Sequence, residues 1–395
     1  MSKASVEKMK ATAPFIFQMS VDQTLRPVVS FLASILTEQD ELDTFSTIFA
    51  STRLEMDDAT QKKVVRVILN NSSILSLTLE GNLFRTVEFL RNSCYMDKHS
   101  LATMVKQCAG ILGLSVEDNL RLTLAFLVDQ VGLTEEKDLR RCIGRHPQIL
   151  GLSLENLQSK VEFFHSIDGR TGDKVRNMSE KQKRGSLAFR IAVSAPSVYS
   201  LSLRDNIVPK LATLGKVWEE PQSSLETVMR SCSAPKSQEH VIRWPSPGSE
   251  TLSRRLKEYP VILTLSLDAN ILPTLQFFNR TRYVSLDSGG YAVFDSLTTV
   301  SARYVAASLY TRLLPRWHYI QQQQQQQQGV LSTSDEKKPQ LPPLHILAAS
   351  DDTKFCKHFK FDESTFSRYK EYAIPKLKFS SQFENWIKTG TPIDN

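Results

Sequence analysis

One eight-residue phrase recurs along this chain of 395 residues and constrains its fold more than any other feature. It reads Pro-Gln-Ile-Leu-Gly-Leu-Ser-Leu over Pro147–Leu154 and Ala-Gly-Ile-Leu-Gly-Leu-Ser-Val over Ala109–Val116. It returns as Pro-Ser-Val-Tyr-Ser-Leu-Ser-Leu over Pro196–Leu203 and Pro-Val-Ile-Leu-Thr-Leu-Ser-Leu over Pro260–Leu267, with a weaker copy over Ser72–Leu79. Anchors fall at Pro14, Ser72, Ala109, Pro147, Pro196, Pro260 and, more faintly, Ala302. The two tight spacings, 37 and 38 residues, give the bare unit, and the longer ones carry insertions. Recurrence of one supersecondary unit at this period predicts a helical solenoid.

Each unit reads as helix, tight turn, helix. Before Pro147, Leu139, Cys142, Ile143 and His146 fall at helical spacing. Thr134 is the expected N-cap, and Glu135 and Glu136 are favourable in the first turn. The same stripe recurs as Val64, Val67, Ile68 and Asn71, as Leu101, Met104, Val105 and Cys108, and as Leu252, Arg255, Leu256 and Tyr259. Pro147 ends the helix, because proline disfavours helical geometry in the residue before it. Ile149, Leu150 and Leu152 suit a short buried turn, and Ser115, Ser153, Ser202 and Ser266 suit caps of the second helices. A second proline follows several anchors at thirteen residues: Pro27, Pro209, Pro273 and Pro315. Two readings stand, a kink within the second helix or a helix that starts later. Stacked pairs bury their apolar stripes jointly and create a long binding face.

The pattern resembles the mitochondrial transcription termination factor (mTERF) family. The signature runs Pro-x-hydrophobic-Leu-x-x-Ser-hydrophobic, followed by a helix ending in a Phe-Leu or Phe-Phe pair. Such pairs stand at Phe31-Leu32, Phe89-Leu90, Phe126-Leu127, Phe163-Phe164 and Phe277-Phe278. Ser350 to Cys356, followed by Phe366, Tyr369 and Lys370, is similar to the family's terminal cap. The resemblance covers about Val6 to Tyr372. It implies an all-α, right-handed superhelical solenoid of helix–turn–helix repeats that binds nucleic acid in a mitochondrion or plastid. The implied organisation is one array over 1–378 with a terminal cap at 344–375. A basic insertion at 168–186, a long connection at 219–250, a glutamine- and proline-rich disordered insertion at 321–343 and a tail at 379–395 complete it.

Charge is uneven. Residues 1–150 hold 17 lysines and arginines against 18 acids, so the whole-chain totals of 49 and 42 leave 32 and 24 for residues 151–395. A basic C-terminal portion suits a polyanion. Arg170, Lys174, Arg176, Lys181, Lys183, Arg184 and Arg190 crowd one stretch, expected as a mobile loop leading into a helix near Ser186. That loop could clamp phosphates or be only a solvated insertion. On the repeats, Arg140, Arg141, Arg145, Lys160, Arg190, Arg254, Arg255, Lys257, Arg303, Arg312 and Arg316 are the candidate phosphate contacts. Cations near helix C-termini also complement the helix dipole, so the residue types alone leave both roles open. Tyr199, Tyr259, Tyr304 and Trp317 are aromatic candidates for bases.

Enzymatic signatures do not appear. Gly169-Arg-Thr-Gly172-Asp-Lys174 has phosphate-loop ingredients at the wrong spacing, and HExxH, GxSxG and dinucleotide fingerprints are missing. Cys94, Cys108, Cys142, Cys232 and Cys356 form no CxxC pair, and Cys356 and His358 lack zinc-spaced partners. Cys108 and Cys142 fall on the apolar stripe as small core residues, which fits a reducing compartment. No apolar run reaches the roughly 18 residues needed to span a bilayer. The opening residues are poor in arginine and include Glu7, which fits a cryptic organellar address or a start upstream. The reading is a monomeric, cofactor-free binding protein, no enzyme, with DNA favoured over RNA and other organellar gene-expression proteins as further partners. Splicing or ribosome-assembly factor and helical protein scaffold are the alternatives.

Overall fold

The computed structural model describes residues 7, 9–11, 13–37, 56–219, 249–281, 300–328 and 343–379, and it is all-α, with no strand among them. It divides into two compact units. One holds residues 1–165 and 171–201, the other 166–170 and 202–395. Most of the 219–250 connection, residues 329–342 of the glutamine- and proline-rich insertion, and the tail beyond 379 lie outside the described residues.

In the first unit the helices Asp58–Asn70, Lys98–Gln107, Glu136–Arg145 and Leu187–Ser194 each run up to an anchor. Each ends one residue before it, at Asn71, Cys108, His146 and Ala195, with φ between −145° and −148°. That conformation suits a residue preceding proline. It is nevertheless the same before Ser72 and Ala109, so proline fits the turn without dictating it. A five-residue 3₁₀ turn then starts on the anchor itself: Ser72–Ser76, Ala109–Gly113, Pro147–Gly151 and Pro196–Ser200. Its third and fourth residues, such as Ile149 and Leu150, are buried, and the turns pack on one another. Truncating Leu150 to alanine would cost about 2–5 kcal/mol.

The expected serine caps are present. Ser115 and Ser153 accept from the backbone N–H groups of Asp118 and Asn156, three residues on. Thr78 differs, since its hydroxyl donates to Asn82 Oδ1 at 2.9 Å. The predicted cap Thr134 is displaced by one residue: Glu135 is the N-cap of Glu136–Arg145, and the Thr134 hydroxyl donates to Glu180.

The second helices open unexpectedly. In six modules the cap residue's carbonyl accepts from the residue five places on, as in Leu25 to Ser20, Leu120 to Ser115 and Ile271 to Ser266. This is a π turn, and it inserts one residue per module. The Pro147 module alone closes at four, from Leu157 to Ser153, and runs as an unbroken helix Leu154–Ile167. Pro27, Pro209, Pro273 and Pro315 each stand second in the α-helix that follows a π turn. Of the two readings, the α-helix proper does start later, one residue before the proline, after a widened turn.

The stretch read as a mobile basic loop is folded. It forms helices Asp173–Arg176 and Glu180–Arg184, the latter with a capping box between Ser179 and Gln182. Arg184 pairs with Glu135 at 2.8 Å and Asp138 at 2.9 Å, and Lys183 donates to the Asp129 carbonyl. Gly132, at φ +90°, permits this approach: a Cβ there would lie 2.8 Å from Lys183 Cβ.

The second unit repeats the scheme in helix Glu250–Glu258, turn Pro260–Thr264 and helix Leu272–Arg280. Ala302–Val305 replaces the 3₁₀ turn by one turn of α-helix. The helix Leu314–Gln328 then carries through the glutamine run, the first part of the insertion expected to be disordered. Helices Asp352–Phe359 and Glu363–Phe379 follow, with Phe366 in ring contact with Tyr319, Phe355 and Tyr369.

Candidate nucleic-acid interface

Register sorts the cations. On a first helix the residues eight, five and four before the anchor carry the buried stripe, for example Leu139, Cys142 and Ile143. The residue six before the anchor lies 100° to 200° away around the helix and must face outward. It is Arg66, Thr103, Arg141 and Arg190 in successive modules of the first unit, and Arg254 in the second. All four arginines are exposed. Among the described residues, Arg66, Arg141 and Arg190 make no ion pair or side-chain hydrogen bond, whereas Arg254 pairs with Glu258 at 3.0 Å. The first helices of the first unit pack in sequence, each against the next. With neighbouring helices about 8–10 Å apart, Arg141 and Arg190 form adjacent rungs and Arg66 stands one rung beyond Thr103. Arg66 was not among the candidates, yet counting six back from each anchor would have found it.

Several candidates are occupied by the protein itself. Arg145 donates to the carbonyls of Val193 at 3.0 Å and Ser194 at 3.3 Å, which end the next module's first helix. Arg140 is exposed but bonds the Tyr95 carbonyl and pairs with Glu136. Arg255 falls on the apolar stripe, five before Pro260, and is correspondingly withdrawn. Burial, then neighbouring Arg254, hold its pKa below the usual arginine value. Lys257 pairs at 2.7 Å with Asp168, a carboxylate almost wholly buried. Arg312 donates to the Ala348 carbonyl at 3.2 Å, and Arg303 is exposed.

Lys160 and Arg316, expected as phosphate contacts, are buried instead. Lys160 is 2% exposed, and its ammonium donates to the Tyr199 carbonyl at 2.5 Å, in the next module's turn. Arg316 is 1% exposed and donates to the carbonyls of Ile346, Leu347 and Ser350, while pairing with Asp352 at 2.7 Å. Neither can meet a phosphate. They share one register position, fourteen past the anchor, or thirteen where the π turn is missing. The other occupants are Val28, Thr86, Thr123, Lys210 and Thr274, all buried. Lys210 repeats the bond, donating to the Leu263 carbonyl at 2.7 Å. Burial lowers the pKa of Lys160 and Lys210, and of Arg316 despite the opposing Asp352 carboxylate.

None of the aromatic candidates is exposed. Tyr199 is buried and donates its hydroxyl to the Ala188 carbonyl at 2.9 Å, and Trp317 meets Phe277 edge-on at 6.0 Å. Tyr259 and Tyr304 are half-buried. His146 is a turn residue, its Nε2 within 2.5 Å of Ser200 Oγ, and burial lowers its pKa. Cys142 is buried with its thiol pushed up to about 12. Among the described residues no three His, Cys, Asp or Glu side chains converge as metal ligands would, and no helix is long and apolar enough to cross a membrane.

The mTERF family model matches residues 1–182 and, overlapping, residues 53–236. Overlapping placements of one model are what an array of similar modules produces, because a shift by modules restores the pattern. No curated protein matches the chain. The chain belongs to the mTERF family, organellar helical-repeat proteins that bind nucleic acid.

Proposed function

We propose that this protein regulates organellar gene expression by holding double-stranded DNA through its phosphates, in transcription termination or its control. The observation that carries this reading is the set of three outward, unengaged arginines at one register position: Arg66, Arg141 and Arg190. Duplex DNA presents one charge per about 1.7 Å of axis, so rungs about 10 Å apart each find a phosphate whatever the sequence. Guanidinium groups suit phosphate oxygens because their planar N–H fork can donate twice. The packing of Tyr199 and Trp317 against other protein groups favours duplex over single strands, which bind by stacking unpaired bases on open rings. Arg254 and Arg303 offer further exposed charge within the second unit.

Salt titration of duplex binding tests the reading. Three contacted phosphates give a slope of about −2.7 in log K against log salt, or roughly a 40-fold loss between 50 and 200 mM. A protein scaffold of the same fold would show no duplex binding at 50 mM. Crosslinking and sequencing of bound nucleic acid from purified mitochondria or plastids would identify the compartment and target.

A further inference from the structure

The Ala302 module departs from its own repeat at three positions, and the departures meet around one cavity. Five residues past the anchor the other modules carry Met19, Leu77, Leu114, Leu152, Leu201 and Leu265, whereas this one carries Ala307. In the first unit that leucine fills space against the following turn. A methyl group placed on Gly113 would sit 3.5 Å from Leu77 Cδ1, and one on Gly151 would sit 3.4 Å from Leu114 Cδ1. Ala307 leaves such space open, and the facing residues, Ala348 and Ala349, are also small.

The other two departures add charge. Ten past the anchor, Asn82, Asn119, Asn206 and Asn270 give way to Arg312, and one past it only uncharged residues precede Arg303. Both arginines line the resulting cavity of about 540 Å³, with Tyr259, Ser301 and Ser308. Arg303 makes no ion pair or side-chain hydrogen bond among the described residues. Arg312 commits one of its five donors, to the Ala348 carbonyl. The acid in the wall, Glu258, lies 3.0 Å from Arg254 and 3.9 Å from Arg255, so its charge is already met.

We propose that this cavity binds a nucleoside phosphomonoester, as a free mononucleotide or as the phosphorylated end of a nucleic-acid strand. Its volume lies within the range of about 300–1,000 Å³ typical of small-ligand pockets and exceeds what a bare phosphate needs. Two guanidiniums match the charge of close to −2 that a phosphomonoester carries near neutral pH. Ala306, Ala307, Ala348, Ala349 and Tyr259 in the lining offer the base apolar surface. The site is independent of the Arg66–Arg141–Arg190 reading and lies wholly within the second unit.

Calorimetric titration of the full chain with adenosine 5′-monophosphate, adenosine, and one duplex with and without 5′-phosphates tests it. The monophosphate should bind at least tenfold more tightly than adenosine. If strand ends are the source, the phosphorylated duplex should instead outbind its unphosphorylated twin by that factor. Ala307→Leu restores the repeat's leucine and should abolish the preference by filling the cavity. Arg303→Ala, at an exposed residue, should reduce it at least tenfold with an unchanged melting temperature. Absence of phosphate discrimination in both pairs, or its survival in folded Arg303→Ala, overturns the proposal. Binding of the unphosphorylated duplex reports separately on the outward arginines.

Discussion

Two sets of cations occupy two register positions of the same repeat and do opposite things. Arg66, Arg141 and Arg190 stand on the outer face of first helices with their charges in solvent. Lys160, Lys210 and Arg316 stand on the inner face of second helices, and each donates to backbone carbonyls of the segment that follows. The first set can be exchanged between water and a polyanion at little structural cost. The second has been desolvated, and its charges are matched by carbonyl dipoles and, at Arg316, by Asp352. A basic residue in a repeat protein is therefore evidence of binding only after its register is known.

Loss of an inner cation should cost most at Arg316. Arg316→Ala removes a buried guanidinium that also lies over the Phe355 ring at 4.8 Å and strands Asp352 beside Lys370. Urea denaturation should show a loss of about 3–5 kcal/mol. A loss under 1 kcal/mol would mean that the inner set is dispensable. Next come Lys160→Met and Lys210→Met, which leave the Tyr199 and Leu263 carbonyls without their donor. Each should cost about 1–3 kcal/mol while leaving the salt slope of DNA binding unchanged. A changed slope would move these lysines to the outer set.

Arg145 lies between the sets, since it is exposed yet caps a helix C-terminus. Arg145→Ala should cost about 1 kcal/mol in stability, and a similar loss in Arg145→Lys would show that the forked geometry matters.

Acid gives the mildest test. Burial pushes the Asp352 carboxyl up, but hydrogen bonds and charge from Lys370 and Arg316 outweigh it and leave its pKa below 3.8. The unfolded chain therefore takes up this proton first as pH falls. The pair's contribution is present above about pH 4 and drains away below it. Melting temperatures at pH 5 and pH 3 should converge in Asp352→Asn relative to the native chain. An unchanged difference would show that the pair does not govern acid stability.

Much of this was legible in the residues. The anchors mark the first residue of six 3₁₀ turns, because the pre-turn conformation, a buried Ile or Val two residues past the anchor and a Ser or Thr six past it repeat in fixed register. The π turns were not legible. An extra residue near the start of a helix changes no residue type, and only the carbonyl that accepts from Leu25 or Ile271 reveals it. The burial of Lys160 was hidden for a related reason. Its partner is a backbone carbonyl 39 residues away, and a carbonyl has no signature in sequence. The basic segment 173–184 looked mobile because its composition is polar. Its order comes from Glu135, Asp138 and the Asp129 carbonyl, supplied by another module.

The most direct test of the account is the salt dependence of duplex binding by the native chain and by Arg66→Ala/Arg141→Ala/Arg190→Ala. Each outward arginine contributes about 0.9 to the slope, so the triple variant should lose about 2.7 while its unfolding free energy moves by no more than about 0.5 kcal/mol per site. An identical slope in the folded triple variant would contradict the claim that these arginines hold the phosphates.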